Sequence, residues 1–323
     1  DYKFLTGNGR YVDDIELAGM LHAAFLRADI AHARINNIDT TSATEIPGVH
    51  AVFTLDDLGA PYPDKPMVTA YGSPLLKQPI CQYLLAKDEV CFVGQTVALV
   101  IAESRHTAED AVSQIIVDYE VLPAVVDCRT ALDPETPIAH LGTENNLVGN
   151  FYNKYGDIEG AFKQADHVLN VDFLEHRGGC HAMECRNILV NYDASLDETT
   201  IHLTTQAPFL IRRLMARFLE EDESRIRIVC PDVGGGFGPK NGPHPEEFVL
   251  AVVAKKLKRP VKWIEDRREH FTATWIAGDQ QWSMEIACDK QGKILGARGR
   301  VIHEMGAFVP YGLLLPATSL FPL

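Results

Sequence analysis

The chain has 323 residues, with 30 Lys+Arg against 44 Asp+Glu and a formal charge of −14. Hydrophobic residues make up 46% and charged residues 23%, a balance that packs a core and excludes a disordered or fibrous chain. The length predicts about two domains, and the acidic excess argues against a nucleic-acid or membrane-surface partner.

That excess is uneven: residues 1–150 carry 21 acids and 9 bases, residues 151–323 carry 23 and 21. An anionic ligand is easier to accept in the second part. Seven cysteines, at 81, 91, 128, 180, 185, 230 and 288, include no C-x-x-C pair. This argues against a disulfide scaffold and against a zinc or iron–sulfur site within the chain, and predicts buried, reduced thiols. Cys180 and Cys185 bracket His181, but no second ligand pair follows at metal-binding spacing. No run of 18 apolar residues predicts a membrane span. Asp1-Tyr2-Lys3 starts no signal peptide, and the expected location is cytoplasmic.

In chain order, Leu21–Arg27 and His50–Thr54 read as strands around a helical turn over Thr40–Glu45. Residues 60–88, with five prolines, read as an extended loop. Val97–Ala102 is a continuous apolar run of buried-strand type. Thr107 and Asp110 predict a capping-box start to a helix ending near Ile115, and Ile116–Tyr119 a returning strand. A connector follows over 127–150. Beyond it, strands are predicted at Ala165–Phe173, Asn187–Tyr192, Thr200–Thr205, Arg225–Val229 and Val261–Glu265. Between them the apolar stripe 209, 210, 214, 215, 218, 219 predicts a helix over Pro208–Leu219. Pro245–Leu257 is also predicted helical, with Glu246 and Glu247 at its start and Lys255, Lys256 and Lys258 at its end, matching the macrodipole. Trp282–Cys288 and Ala297–His303 read as strands paired around the turn Asp289–Gly292.

Pro231-Asp232-Val233-Gly234-Gly235-Gly236-Phe237-Gly238-Pro239-Lys240 is the most informative stretch. Four glycines in five positions between a strand and a helix let backbone approach a ligand closely, and amides before a helix start suit anionic or strongly polar groups. A P-loop needs Gly before the Lys and Ser or Thr after it; here those places hold Pro239 and Asn241. A dinucleotide fingerprint needs G-x-G-x-x-G, and its third glycine falls on Pro239 or Asn241. A tight turn packing strand on helix stays open, although Phe237 is an odd residue for a mere turn.

VGGGFGPK resembles the G-G-G-F-G-x-K loop of the large subunit of molybdenum hydroxylases, the family of xanthine dehydrogenase, aldehyde oxidase and carbon monoxide dehydrogenase. Gly7–Ile35, Pro47–Thr54, Val93–Ser104 and Val117–Asp127 are similar to that subunit's N-terminal hammerhead domain. HAMECR (His181–Arg186), TTQAPF (Thr204–Phe209) and RPVKWIEDRREHF (Arg259–Phe271) are similar to the first part of its cofactor domain. The resemblance implies an α+β fold: an α/β hammerhead domain over 1–126, the connector 127–150, and the first, incomplete part of a mixed α/β molybdopterin-binding domain over 151–323.

It also implies a molybdenum–molybdopterin cofactor in a dinucleotide form, with the metal held by the pterin and no protein ligand. Gln206 would hydrogen-bond an oxygen on the metal, though a polar residue at a strand end is the alternative. Gly235, Gly236, Phe237 and Gly238 would line the cofactor, with Phe237 near the metal. Asn241 stands where xanthine-oxidising members have a substrate-contacting acid, which speaks against purine oxidation. Lys240 would offset phosphate charge or stay solvated, and Glu184 and Arg186 would form an internal salt bridge. The cluster Glu265-Asp266-Arg267-Arg268-Glu269 reads as a solvated, self-paired surface.

The implied reaction oxidises a small-molecule aldehyde or N-heterocycle with water as oxygen source, with a general-base glutamate outside this chain. Electrons would pass to [2Fe-2S] clusters and FAD on an iron–sulfur subunit and an FAD subunit. A C-terminal molybdopterin-binding half or subunit would complete the site, so the isolated chain is expected to be inactive. The alternative is a non-catalytic scaffold of the same fold that binds only partner chains.

Overall fold

The apolar run Val97–Ala102 lies within the strand Thr96–Ala102, which is buried at every position. A strand with no polar face must be covered on both sides, and the rest of the fold is arranged around it. The structure, a computed structural model, describes residues 1–67, 75–78 and 80–309. The loop read over 60–88 therefore lies outside the described residues at 68–74 and 79, and the last predicted domain does so beyond residue 309.

Thirteen strands are described: β1 (Leu21–Arg27), β2 (Ala33–Asp39), β3 (Val49–Phe53), β4 (Glu89–Val90), β5 (Thr96–Ala102), β6 (Ile116–Val121), β7 (His167–Glu175), β8 (Asn187–Asp193), β9 (Glu198–Leu203), β10 (Ile226–Val229), β11 (Val261–Ile264), β12 (Gln280–Cys288) and β13 (Ile294–His303). Seven of them form one sheet in the order β10-β9-β8-β11-β1-β5-β3. Its two halves join where β1 runs parallel to β11, with Leu21 opposite Val261. A second sheet has the order β4-β2-β6 and a third β13-β12-β7.

The helix Pro245–Leu257 packs on the seven-stranded sheet and is buried from Pro245 to Ala254. A helix apolar nearly all round belongs in a core. Phe248, Val249, Leu250 and Val253 join Leu21, Phe25, Leu99, Ile188, Val190 and Trp263 in one apolar cluster. The helix Pro208–Leu219 contributes Ile211, Leu214, Met215 and Phe218 to the same cluster. Of the predicted stripe, Leu214, Met215 and Phe218 are buried and Leu210 and Leu219 pack against the cluster, but Phe209 is 75% exposed and Ile211 points inward instead.

Some expectations need correction. The helix after β5 spans Arg105–Val112, and its cap is Ser104, whose Oγ accepts the Thr107 amide at 3.1 Å; the capping residue lies three positions before the predicted one. β2 carries Asn36 and Asn37 where a strand would alternate, and a register shift between Ile35 and Asn37 accommodates them. The short helices Ile158–Gln164 and Arg267–Ala273 were not among the predicted elements; the first begins the segment assigned to the cofactor domain and the second lies in the cluster read as surface. No cysteine among the described residues is in a disulfide, but only Cys128 is buried, while Cys180 and Cys230 are exposed.

The described residues fall into two compact units. One draws on residues 1–67, 81–124 and 179–275; the other on 75–78, 80, 125–178 and 276–309. No helix among the described residues is long and apolar enough to cross a membrane.

Candidate functional site

β10 ends at Val229 and the buried helix starts at Pro245, so the glycine-rich segment spans the gap between a sheet strand and a core helix. Asp232 anchors its entry. The Asp232 amide donates to the Arg10 carbonyl at 3.0 Å, and the Arg10 amide donates to Asp232 Oδ2 at 2.9 Å. The Gly234 amide donates to Glu184 Oε2 at 2.7 Å, and the Glu184 amide returns a bond to the Gly234 carbonyl at 3.3 Å. This reciprocal pair locks HAMECR to the loop. A Cβ on Gly234 would lie 2.5 Å from Glu184 Cβ, so only glycine fits.

Gln206 meets the same loop from the end of β9. Its amide donates to the Lys240 carbonyl at 2.8 Å, and its Oε1 accepts the Gly238 amide at 2.9 Å. A backbone N–H can only donate, so the side-chain oxygen must face the loop. The side-chain NH2 is thereby turned away from that bond. Gln206 is exposed, and its two N–H groups can donate to an incoming oxygen. Gly236 closes the other side: a Cβ there would lie 2.4 Å from Gln206 Cδ.

Phe237 takes φ 57°, the left-handed region that costs a non-glycine residue roughly 1–2 kcal/mol. It is also 68% exposed. Phe237 thus combines a strained backbone with a large apolar ring in solvent, a combination that clusters at functional sites. The ring lies beside Gly235, whose Cβ position would be 2.7 Å from Phe237 Cε2 and 3.2 Å from Ala182 Cβ. Asn241 closes the loop with its amide on the Gly238 carbonyl at 2.9 Å, and it is exposed. Gln206, Gly235, Gly236, Phe237, Gly238 and Asn241 thus lie together on one short stretch of surface.

Lys240 is neither a phosphate ligand nor solvated, the two roles expected of it. It is 2% exposed, its Nζ pairs with Glu184 Oε2 at 3.3 Å, and burial lowers its pKa. Its carbonyl accepts from Thr205 Oγ1 at 3.1 Å as well as from Gln206. Lys240 and Glu184 hold the loop from beneath.

The expected Glu184–Arg186 pair is not formed among the described residues: Glu184 pairs with Lys240, and Arg186 with Glu246 and Glu265. Arg186 is buried and donates instead to Glu265 Oε1, from Nε at 2.8 Å, and to both oxygens of Glu246 at 3.1 Å. Arg27 bonds Glu246 Oε1 at 2.9 Å and Glu269 Oε1 at 2.8 Å. His270 Nδ1 completes the group on Glu265 Oε2 at 2.9 Å. Burial alone would raise the Glu246 pKa, but Arg186 and Arg27 outweigh it and hold the group at about 2.

The EDRRE cluster is therefore largely an internal ion network, not a solvated surface. Asp266 caps the helix Arg267–Ala273 through a bond from the Glu269 amide at 2.7 Å, and Arg267 reaches the carbonyls of Ala182 and Met183. The charge pattern alone does not reveal this; the Asp266-x-x-Glu269 capping spacing is the signal that could have.

His244, before the core helix, was not singled out by the sequence. Its ring bonds the Pro239 carbonyl at 2.6 Å, and burial lowers its pKa to about 3. Glu247 beside it is pushed up to about 8 by burial. Two groups bring possible metal ligands within 4.8 Å: His32, Glu89 and Cys91, and Cys185, Glu265 and His270. In the first His32 already pairs with Glu89 at 3.2 Å, and in the second Glu265 is saturated by Arg186 and His270. Protein bonding already accounts for both.

On this mixed α/β fold, Gly234, Gly235 and Gly236 leave no room for a Cβ, the Gln206 side-chain amide is exposed, and Phe237 is an exposed aromatic at positive φ. Residues 6–123 match the aldehyde oxidase and xanthine dehydrogenase a/b hammerhead domain, and residues 140–323 match the molybdopterin cofactor-binding domain. The chain belongs to the molybdopterin-binding large-subunit family of the molybdenum hydroxylases.

It is 38% identical over 309 residues to the nicotine 6-hydroxylase large subunit of Paenarthrobacter nicotinovorans, covering 95% of this chain and 37% of the relative. It is 38% identical over 322 residues to the carbon monoxide dehydrogenase large chain of Afipia carboxidovorans, covering 95% and 39%. Quinoline 2-oxidoreductase from Pseudomonas putida 86 superposes with a TM-score of 0.89 at 36% identity, over 98% of this chain and 40% of that one. The chain thus spans at most two-fifths of the length of these relatives.

Proposed function

We propose that this chain supplies one wall of the cofactor site in a multi-subunit molybdenum hydroxylase. The observation that carries the reading is the Gln206–Gly238 bond beside Gly236. It fixes the side-chain oxygen inward and leaves the amide NH2 as an outward donor at a place where backbone can come close. Gln206 would donate to an oxygen of the cofactor, Gly235, Gly236 and Gly238 would allow its approach, and the Phe237 ring would lie against it. When bound, the cofactor supplies two-electron oxidation of a carbon centre with water as the oxygen source.

The chain's own residues bind and orient. The Glu184–Lys240 pair beneath the loop is a fixed support, and the Arg186 network holds HAMECR to the helix Arg267–Ala273. The domain division, hammerhead over 1–126, connector over 127–150 and cofactor domain from 151, is part of this reading. So are a dinucleotide form of the pterin, iron–sulfur and FAD partner subunits, a general-base glutamate elsewhere in the large subunit, and a cytoplasmic location.

The substrate is an aldehyde or N-heterocycle. Relatives named for nicotine and quinoline support the heterocycle, and the uncharged, exposed Asn241 suits a neutral ring better than an acidic purine contact. A scaffold with no cofactor has no use for an exposed aromatic held in a strained backbone.

The test is Gln206→Ala in the complete complex. Molybdenum content and turnover are expected to fall together; full metal content and turnover in the variant would overturn the assignment.

A further inference from the structure

Phe237 and Gly238 are exposed, Pro239 and Lys240 are buried, and Asn241 is exposed again. The exposed tip of the glycine loop thus hangs on a buried anchor of two residues. Buried carbonyls need donors, and all three carbonyls from Gly238 to Lys240 have one. The Gly238 carbonyl takes the Asn241 amide at 2.9 Å, and the Lys240 carbonyl takes the Gln206 amide at 2.8 Å and Thr205 Oγ1 at 3.1 Å. Proline has no N–H, so the Pro239 backbone can be tied only through its carbonyl. That oxygen takes Nε2 of His244 at 2.6 Å.

His244 is held still itself. It is 1% exposed and immediately precedes the core helix Pro245–Leu257, which is buried as far as Ala254. Its ring lies on Trp275, with centroids 4.5 Å apart and planes 34° from parallel. A carbonyl oxygen can only accept, so Nε2 carries the hydrogen and donates. Burial pushes the ring's pKa down to about 3, so the donor is a neutral imidazole with one tautomer.

We propose that His244 is a positioning residue: from the start of the core helix it clamps the Pro239 carbonyl, which holds the Gly238 amide on Gln206 Oε1 and aims the Gln206 NH2. The inference rests on the reading of Gln206 as a donor to the cofactor. Pro239 lies between the two groups that grip Gln206, the Gly238 amide on its side chain at 2.9 Å and the Lys240 carbonyl on its backbone at 2.8 Å. The proline ring fixes φ near about −65° and leaves ψ as the one soft backbone dihedral of this residue. The direction of the carbonyl sets ψ, so a donor on that oxygen removes the remaining freedom. The clamp stands on a buried helix rather than on the loop it holds, which is what keeps a site in one geometry. Asn241, tied to the Gly238 carbonyl, is held by the same anchor.

Three variants of the complete complex test this. His244→Gln keeps an N–H donor at similar reach; His244→Phe and His244→Met keep bulk without a donor. Amide hydrogen exchange is read at Gly238, with Val249 of the core helix as the reference for general loosening. In the two donorless variants Gly238 should exchange on the order of tenfold faster relative to Val249, the scale of one hydrogen bond, and His244→Gln should restore the slow rate. An unchanged Gly238 would overturn the proposal, and so would equal acceleration at both amides, since His244 would then support the fold in general. The wild-type complex gives a second measurement that requires no variant to fold. Nitrogen NMR of the His244 ring should show the hydrogen on Nε2, and a hydrogen on Nδ1 instead would overturn the clamp. Molybdenum content of the same samples separates this inference from the reading beneath it. Faster Gly238 exchange with metal lost, both restored by glutamine, supports the two together. Faster exchange with full metal leaves the clamp standing and removes Gln206 from the cofactor, while metal loss with Gly238 unchanged removes the clamp alone.

Discussion

Gln206 Oε1 and the Gly238 amide lie 2.9 Å apart, and the Gln206 side chain stands in the space that a Cβ on Gly236 would fill. The rotamer is set by a missing side chain as much as by a bond. Gly236→Ala would place a Cβ 2.4 Å from Gln206 Cδ and force the amide off the loop. The expected result is the molybdenum loss of Gln206→Ala, with stability reduced by about 1–3 kcal/mol, as for other overpacked sites. Gly238→Ala is the contrast. Its Cβ would meet nothing within 4 Å, but φ is +106°, so it should lose stability without pushing Gln206 aside. Metal-to-protein ratio and thermal unfolding of both variants separate the two effects.

Phe237→Gly is expected to cost little or no stability. Relief of roughly 1–2 kcal/mol of left-handed strain offsets about 0.4–1 kcal/mol of added chain entropy, and the exposed ring forfeits little burial. Cofactor retention should nevertheless fall. A melting temperature lowered by more than a few degrees would mean that the ring packs on the protein.

Arg186→Met would leave Glu246 and Glu265 buried without their shared guanidinium, a loss of about 3–5 kcal/mol. Lysine should not rescue it, because one ammonium cannot replace forked donation to two carboxylates. Denaturant midpoints for the wild type, Arg186→Met and Arg186→Lys give the answer, with near-wild-type stability for the lysine variant as the failing outcome.

Glu247 has an ordinary value of 4.5, raised to about 8 in the fold by burial. The native state therefore keeps a proton that the unfolded chain has lost, so the associated stability is full below about pH 4.5 and disappears as pH rises through 8. Glu247→Gln keeps an oxygen for the His244 amide and has no proton to lose. Its melting temperature minus that of the wild type should grow between pH 5 and 8 and then level off. His244, held near 3 by burial, destabilises both proteins equally as pH falls below 6.5 and cancels in the difference. A pH-independent difference would place Glu247 in contact with water.

The strongly patterned elements were legible in the sequence. Pro208–Leu219 and Pro245–Leu257 have the predicted ends, and β5 is as buried as its apolar run requires. The glycine loop was legible as a strand-to-helix connection without side chains, and Gly234, Gly235 and Gly236 indeed leave no room for a Cβ. What surrounds the loop was not. Arg186, Glu246, Glu265 and Arg27 are distant in sequence and become one network only when β1, β8 and β11 lie side by side, and no spacing rule records that. Lys240 was misread because a lysine after a glycine loop is ordinarily solvated, and its Glu184 partner lies 56 positions earlier. β2 was missed because its two asparagines break the alternation that identifies strands.

β1 is hydrogen-bonded to β5 on one side and to β11 on the other, from Leu21 opposite Val261 onward. The stretches matching the hammerhead and cofactor-binding families thus share one sheet. A graft that exchanged residues 6–123 for those of a relative would cut through a continuous sheet. It would expose the flank of β11 unless the incoming first strand carried a compatible register. Recombination between such enzymes should therefore tolerate crossovers outside the β1–β11 seam far better than a junction that sends its two strands to different parents.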